Sequence, residues 1–363
     1  MTLSLENIWR TVGDEVHIAE ANLSLERGTL NTLLGPTLSG KTSLMRLMAG
    51  LDKPTKGRIS FDGIDVTGVR VQDRNVAMVY QQFINYPALT VYENIASPLR
   101  IARAPADEID RKVREAAAMM KLEPMLDRTP LELSGGQQQR TALARAMVKG
   151  ADLVLLDEPL ANLDYKLREE LREELPRVFA ETGAIFVYAT TEPTEALLLG
   201  GNTATLHEGR ITQFGSTIDI YRNPSDLLTA DVFSDPPINT LPVTVKGGVV
   251  SHGEKFSAQA TGVLSQVGDG DYTLGFRPNH LHIDSDPSMI SFKTKVAVTE
   301  ITGSESFVHV DFADQRWVSL THGVQEIEID SNIDVYLEPS KCFVFDTKGK
   351  LVAGPWGTAG EQA

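Results

Sequence analysis

The segment Gly35-Pro36-Thr37-Leu38-Ser39-Gly40-Lys41-Thr42 has the spacing G-x-x-x-x-G-K-[ST]. It lies between a short apolar run, Thr32-Leu33-Leu34, and a helix-like period of Leu44, Met45, Leu47 and Met48. In a strand–loop–helix setting, backbone N–H groups of such a loop wrap the phosphates of a nucleotide, and the helix N-terminus adds favourable dipole. The loop and Ser43 after it are expected to hold those phosphates. Lys41 would reach the β- and γ-phosphates, and the Thr42 hydroxyl would ligate Mg²⁺. Asp152-Leu153-Val154-Leu155-Leu156-Asp157-Glu158-Pro159 is a buried-strand run that ends in two carboxylates. A carboxylate at a strand end beside a phosphate loop positions the metal, which assigns that role to Asp157. Glu158, next to it, would orient or deprotonate a water that attacks the γ-phosphate. In Leu133-Ser134-Gly135-Gly136-Gln137-Gln138-Gln139-Arg140 two glycines open a helix, a second helix start suited to an anion.

These groups need elements to place them. Residues 1 to about 225 read as apolar runs, each followed by a turn and an amphipathic helix; one such helix spans about 106–121, with Ile109, Val113, Ala116, Ala117 and Met120 at helical spacing. Beyond Pro236 the pattern changes to short alternating segments, such as 243–245, 272–274 and 293–298, as in a small β-barrel or sandwich. Breakers at Asn223-Pro224 and Asp235-Pro236-Pro237 mark the junction. The chain has 363 residues, enough for two domains, and its 42% hydrophobic and 23% charged residues exclude a disordered or fibrous chain. No run is long and apolar enough to span a bilayer, and the start MTLSLENIWR has none of the regions of a signal peptide, so a cytoplasmic chain is expected. The single cysteine, Cys342, excludes an internal disulfide or a cysteine zinc site. With 34 Lys and Arg against 49 Asp and Glu, the net charge of −15 disfavours nucleic acid as a partner.

Taken together, the motifs resemble the ATPase subunit of ATP-binding-cassette (ABC) transporters. Gly35 to Thr42 looks like Walker A, the run ending at Glu158 like Walker B, and Leu133-Ser134-Gly135-Gly136-Gln137 is the signature peptide of that superfamily. Gln81 matches the glutamine that contacts Mg²⁺ and couples to the membrane subunit, and Ala161-Asn162-Leu163-Asp164 matches the D-loop. The resemblance implies an α/β fold with a RecA-like P-loop ATPase core over residues 1–235, including a helical subdomain at about 87–150. It implies ATP as ligand, head-to-tail pairing, and Ser134, Gly135, Gly136 and Gln137 closing over the partner's nucleotide. Gly275-Phe276-Arg277-Pro278-Asn279-His280-Leu281 and the later Glu300 to Glu305 are similar to elements of the carbohydrate-uptake class, maltose and glycerol-phosphate importers. That implies an OB-like all-β regulatory domain over 236–353, followed by a tail, 354–363.

Asn279 stands where the C-terminal element usually has a glutamate, and within the ATPase domain the chain departs from the family at three places. Thr191 stands where a switch histidine belongs, Val12 where an aromatic ring stacks on adenine, and Leu38 replaces a customary glycine, demanding an ordinary backbone conformation there. All three fall in the Walker half of the site. Two arrangements follow: a weak half-site paired with a second, non-identical ATPase subunit, or a homodimer that tolerates Thr191 because Glu158 remains. The expected assembly lies on the cytoplasmic face of the inner membrane, with two permease subunits and an extracytoplasmic solute-binding protein. It would import a sugar, a polyol such as glycerol, or a related solute. Phe83, Tyr86, Pro87, Leu89 and Tyr92 are candidates to receive a permease helix. An alternative role is a catalytically weak partner for assembly and regulation.

Overall fold

The computed structural model describes residues 2–82, 84–161 and 163–356, without the side chains of 174 and 178–181. Phe83, Asn162 and the tail beyond 356 lie outside the described residues. The chain divides into two compact units, Met1–Thr217 and Ile218–Ala363.

The first unit opens with β1 (Thr2–Val12) and β2 (Glu15–Glu26), a hairpin turned at Gly13, whose φ of 60° suits a residue without Cβ. After β3 (Leu30–Leu34) the phosphate-type loop leads into α1 (Lys41–Ala49). Then β4 (Lys56–Phe61) and β5 (Ile64–Asp65) complete an antiparallel sheet of order β2-β1-β4-β5. The strand β6 (Val76–Val79) precedes a helical stretch, α2 (Val91–Ile101), α3 (Ala106–Met119) and α4 (Gly135–Val148). The chain then alternates: β7 (Leu153–Asp157), α5 (Tyr165–Thr182), β8 (Ile185–Thr190), α6 (Pro193–Leu199), β9 (Asn202–His207) and β10 (Arg210–Ser216). The second sheet has the order β10-β9-β3-β8-β7-β6, parallel except where β10 turns back on β9.

Burial explains the sequence pattern. Every residue of β7 and β8 is buried, which is why both read as continuous apolar runs rather than alternating ones. One core joins Leu44, Met45, Leu47 and Met48 of α1 to both sheets; the other joins α2, α3, α4 and α5 to residues such as Val154, Leu156 and Phe186. In α3, Val113, Ala116 and Ala117 are the buried stripe expected from their spacing.

At the division between units runs α7 (Thr217–Arg222), followed by α8 (Leu227–Val232). Ala230 of α8 shares a core with Ile238, Phe343 and Phe345, so this segment groups with the second unit. The two compact units thus meet at 217/218, just ahead of the junction marked by the breakers at 223–237. In the second unit β11 (Asn239–Lys246), β12 (Val249–His252), β13 (Phe256–Gln259), β14 (Gly270–Phe276), β15 (Leu281–His282), β16 (Ile290–Ile301), β17 (Glu305–Phe312), β18 (Gln315–His322), β19 (Asn332–Leu337), β20 (Phe343–Phe345) and β21 (Leu351–Ala353) form two antiparallel sheets. Their orders are β13-β12-β11-β14-β20-β21 and β15-β19-β16-β17-β18. Trp317 is fully buried between them, edge-on to Phe276 and Phe292 and stacked on Phe312, and its Nε1 donates to the Thr240 carbonyl at 2.9 Å. Arg277 is not held by ordinary turn bonds alone. Its guanidinium is buried, lies 3.8 Å from the Tyr221 ring centre and donates to the Tyr221 carbonyl at 2.6 Å.

Candidate active site

Parallel pairing decides where the chemistry collects. Leu34 pairs with Thr190, Asp157 with Ala189, and Val79 with Leu156, so β3, β8, β7 and β6 end at one edge of the sheet. Ligands of parallel α/β sheets bind at that edge. A cleft of about 760 Å³ opens there, lined by Thr37, Leu38, Ser39, Gly40, Lys41, Thr42, Ser43, Gln81, Glu158 and Thr191. Glu15, Val16 and His17 of β2, and Glu208 and Gly209 from the β9–β10 turn, complete its wall. Gly35 and Pro36 contribute carbonyls behind it.

The loop is shaped by close approach. A side chain at Gly35 would run into the Leu206 carbonyl and the Ser39 hydroxyl. Gly40, at φ 103°, has the His17 carbonyl 3.0 Å from where its Cβ would be. Leu38 corrects the expectation of an ordinary conformation: its φ is +68°, left-handed in spite of its Cβ, while its side chain stands almost wholly in solvent. The ring of contacts around the loop imposes that conformation, at a cost of ~1–2 kcal/mol, and the open surroundings let the side chain escape a clash. Gly40 has no side chain to cap α1, so the first N–H groups of that helix keep their capacity for an anion. Lys41 Nζ donates to the carbonyls of Gly35 at 2.8 Å and Pro36 at 2.9 Å, folded over the loop. Burial lowers its pKa from the ordinary lysine value, against the opposing pull of Glu158 and Asp157. Ser39 Oγ is buried without a partner. An orphaned hydroxyl, an uncapped helix start and a buried ammonium together fit a polyphosphate.

Across the cleft, Thr42 Oγ1 donates to Asp157 Oδ2 at 2.8 Å. Burial pushes the Asp157 carboxyl above its usual range, with Thr42 and Lys41 opposing. A buried carboxylate and a hydroxyl in contact, with Gln81 near, make a sparse oxygen set. That suits Mg²⁺, which takes one or two protein oxygens and otherwise binds water and phosphate. Such an ion would polarise phosphate oxygens and neutralise charge that develops on them. Gln81 Nε2 donates to Glu158 Oε2 at 2.8 Å, so the two residues assigned to metal and water meet directly. Glu158 has φ 46°, a strained position for a non-glycine residue, and its N–H is fixed to the Ala189 carbonyl at 3.0 Å. Burial raises its pKa as well, as expected for a carboxylate that accepts a proton.

Thr191 lines the cleft with an exposed side chain. Its neighbour Thr190 is buried and donates to Glu195 Oε2 at 2.6 Å. Glu195, itself buried, also accepts from Tyr188 Oη at 3.2 Å and from Arg172 Nη2 at 3.0 Å. A charged clamp from α5 thus fixes the exit of β8.

The signature peptide lies elsewhere. None of Ser134, Gly135, Gly136 and Gln137 lines the cleft. Ser134 caps α4, where its Oγ accepts from the Gln137 N–H at 3.3 Å and its own N–H donates to Gln137 Oε1 at 2.9 Å. That leaves the Ser134 proton for an outside acceptor. Asp164 of the D-loop match caps α5 by accepting from the Leu167 N–H at 3.0 Å. Among the expected aromatic cluster, Tyr86 is half exposed and lies 5.1 Å under the Arg145 guanidinium, while Tyr92 donates to Asp110 at 3.2 Å. Tyr86, Arg145, Pro98 and Ile101 line a second groove, of about 290 Å³. Val12 does not line the nucleotide-type cleft. Residues 15–17 and 208–209 do, and no sequence signal pointed to them except Gly209, whose missing Cβ admits the His17 carbonyl.

Comparisons with known proteins agree with this geometry. The family model described as "ABC transporter" matches residues 18–161, and one described as "TOBE domain" matches 274–345. The chain is similar to the trehalose/maltose import ATP-binding protein MalK of Thermococcus litoralis, with 34% identity over 96% of this chain and 98% of that protein. It is similar also to the sn-glycerol-3-phosphate import ATP-binding protein UgpC of Ruegeria pomeroyi, with 36% identity over 97% of this chain and 99% of that one. A dimeric structure of the ATP-binding cassette MJ0796 in a post-hydrolysis state, bound to ADP and Pi, matches 59% of this chain and 98% of its own, at 29% identity and a TM-score of 0.54. A P-loop α/β cassette with its ATPase motifs, followed by an OB-like β-domain, places the chain in the ABC transporter family, as an ATPase subunit of the MalK/UgpC class with a TOBE domain.

Proposed function

We propose that this subunit drives import of a sugar, a polyol such as glycerol, or glycerol phosphate by hydrolysing Mg·ATP at a seam between two ATPase subunits. One observation carries the reading: residues 37–43 of the phosphate loop and the Gln81–Glu158 pair share one cleft, with Asp157 bonded to Thr42 at its wall, while Ser134 to Gln137 do not line it. A nucleotide in that cleft still lacks the signature peptide, so a second subunit must supply it. Binding of a polyanion then draws the halves together, and hydrolysis releases them. The solute range follows from relatives named for trehalose/maltose, xylose/arabinose and glycerol-3-phosphate import.

In this reading Lys41, Thr42, Ser43 and the loop from Gly35 to Gly40 bind the phosphates, Asp157, Thr42 and Gln81 hold Mg²⁺, and Glu158 takes the proton of the attacking water. Thr191 has a hydroxyl where a cation would better stabilise the departing phosphate. The subunit is therefore slow in its own half-site and pairs with a non-identical ATPase subunit that it serves with Ser134 to Gln137. A mainly structural role is disfavoured, because Lys41, Thr42, Asp157 and Glu158 are all in place. The groove beside Tyr86 and Arg145 receives a helix from one of two permease subunits on the cytoplasmic side of the membrane, and a solute-binding protein delivers cargo from outside. The test is phosphate release by the purified chain. Slow, Mg²⁺-dependent release, abolished by Lys41→Ala and by Glu158→Gln, is expected. No release, alone or with permease and a second ATPase subunit, would overturn the function.

A further inference from the structure

The cleft has two ends. Lys41, Thr42, Gln81, Glu158 and Thr191 define the end that meets phosphate. The remaining wall, Glu15 to His17 with the Glu208–Gly209 turn, must meet the nucleoside. Among the described residues lining the cleft, His17 carries the only ring.

Its position is fixed relative to the phosphates. The His17 carbonyl lies 2.6 Å from where a Gly209 Cβ would be and 3.0 Å from the corresponding point on Gly40. Gly209 in turn donates its N–H to the Ser39 carbonyl at 2.9 Å and accepts from the Ala19 N–H at 2.9 Å. The β2 backbone at His17 is therefore pressed against the phosphate loop through glycine on both sides. The ring itself is held less tightly: its side chain is 38% exposed, and Nε2 stands 3.7 Å from a Glu15 carboxylate that is 87% exposed. A partly exposed ring on an anchored backbone that lines the cleft is what a base needs to stack on.

We propose that His17 is the base-stacking residue of this site, and that it accepts purines with little discrimination between adenine and guanine. The reason is chemical. Stacking uses the π-face that every base has, whereas telling adenine from guanine needs donors and acceptors fixed against the base edge. The carboxylates flanking His17, Glu15 and Glu208, stand on mobile-length side chains at an exposed rim, not in a buried edge-reading pocket. The aliphatic Val12 at the end of β1 contributes no surface to this wall.

This inference rests on the cleft being a nucleotide site, so the experiment separates the two claims. Calorimetric titrations would compare Mg·ATP, Mg·GTP and inorganic tripolyphosphate, which has the phosphates without a base, on the wild-type chain, His17→Ala and His17→Phe. His17→Ala should weaken ATP and GTP alike by about tenfold, the scale of one lost base–aromatic stack, and leave tripolyphosphate unchanged. His17→Phe should restore both nucleotides to within about threefold of wild type. Unchanged ATP binding in His17→Ala, or equal weakening of tripolyphosphate, would overturn the stacking role while leaving the phosphate site standing. A wild-type preference for ATP over GTP beyond about thirtyfold would overturn the claim of weak discrimination. Failure of the wild-type chain to bind any of the three would overturn the nucleotide site itself.

Discussion

Replacing Thr191 by histidine should raise turnover. Thr191 lines the cleft together with Lys41, Gln81 and Glu158, one residue beyond Thr190, which the Glu195–Arg172 clamp holds in place. Its exposed side chain displaces no packed neighbour when enlarged, so the substitution changes chemistry more than stability. A neutral hydroxyl donor contributes about 1 kcal/mol net, and a charge-assisted donor about 1.5–3 kcal/mol. If the gain of ~0.5–2 kcal/mol is realised only as charge develops on the departing phosphate, kcat rises by about 2- to 30-fold. Steady-state phosphate release at saturating Mg·ATP measures it, with Glu158→Gln as the zero in both backgrounds. A Kd for ATP unchanged within about twofold shows that the ground state is untouched. Thr191→His with kcat no higher than the parent, and the same Kd, would refute the claim that the missing cation limits this half-site.

Other outcomes follow from the same geometry. Because burial raises the Glu158 pKa, lowering pH protonates it earlier than an ordinary glutamate; the acid-side fall of kcat should lie at a higher pH than an unperturbed glutamate would give, and an acid limb no higher than that of an ordinary glutamate would refute the assignment. Leu38→Gly removes left-handed strain at an exposed site, partly offset by the greater freedom of glycine in the unfolded chain; a net gain of ~0.5–1 kcal/mol should appear as a rise of about 1–4 °C in the melting of the first unit. Arg172→Met leaves the buried Glu195 carboxylate without its cation and should destabilise the first unit by about 3 kcal/mol in denaturant titration, with Arg172→Lys retaining part of that.

What was legible in the sequence was contiguous. A glycine-rich loop between a strand and a helix, or a strand that ends in two carboxylates, carries its chemistry within eight residues, and parallel pairing then sets such strand ends side by side. In the helical stretch between β6 and β7, α3 was legible through periodicity, whereas the stretch as a whole was expected only from the family resemblance. Contributions assembled from distant chain were not legible. Residues 15–17 reach the cleft only because β2 presses on Gly40 and Gly209, and the hydrogen bond between Gln81 and Glu158 joins residues 77 apart. The left-handed turn at Leu38 runs against the local preference of leucine, since the surrounding contacts override it. The boundary near 217 was hidden because the breakers at 223–237 flank α8, whose packing on Phe343 and Phe345 depends on chain more than a hundred residues away.

Sedimentation of the Glu158→Gln chain with and without ATP probes the closed seam most directly, since that variant keeps the nucleotide contacts and blocks its turnover. A mass of one chain without nucleotide, rising with Mg·ATP to that of a pair, formed with itself or with an added second ATPase subunit, and returning to one when Ser134→Arg obstructs the signature peptide, is the predicted result. A single-chain mass at saturating ATP both alone and with a second ATPase subunit present, or a paired mass indifferent to both ATP and Ser134→Arg, would contradict the shared site.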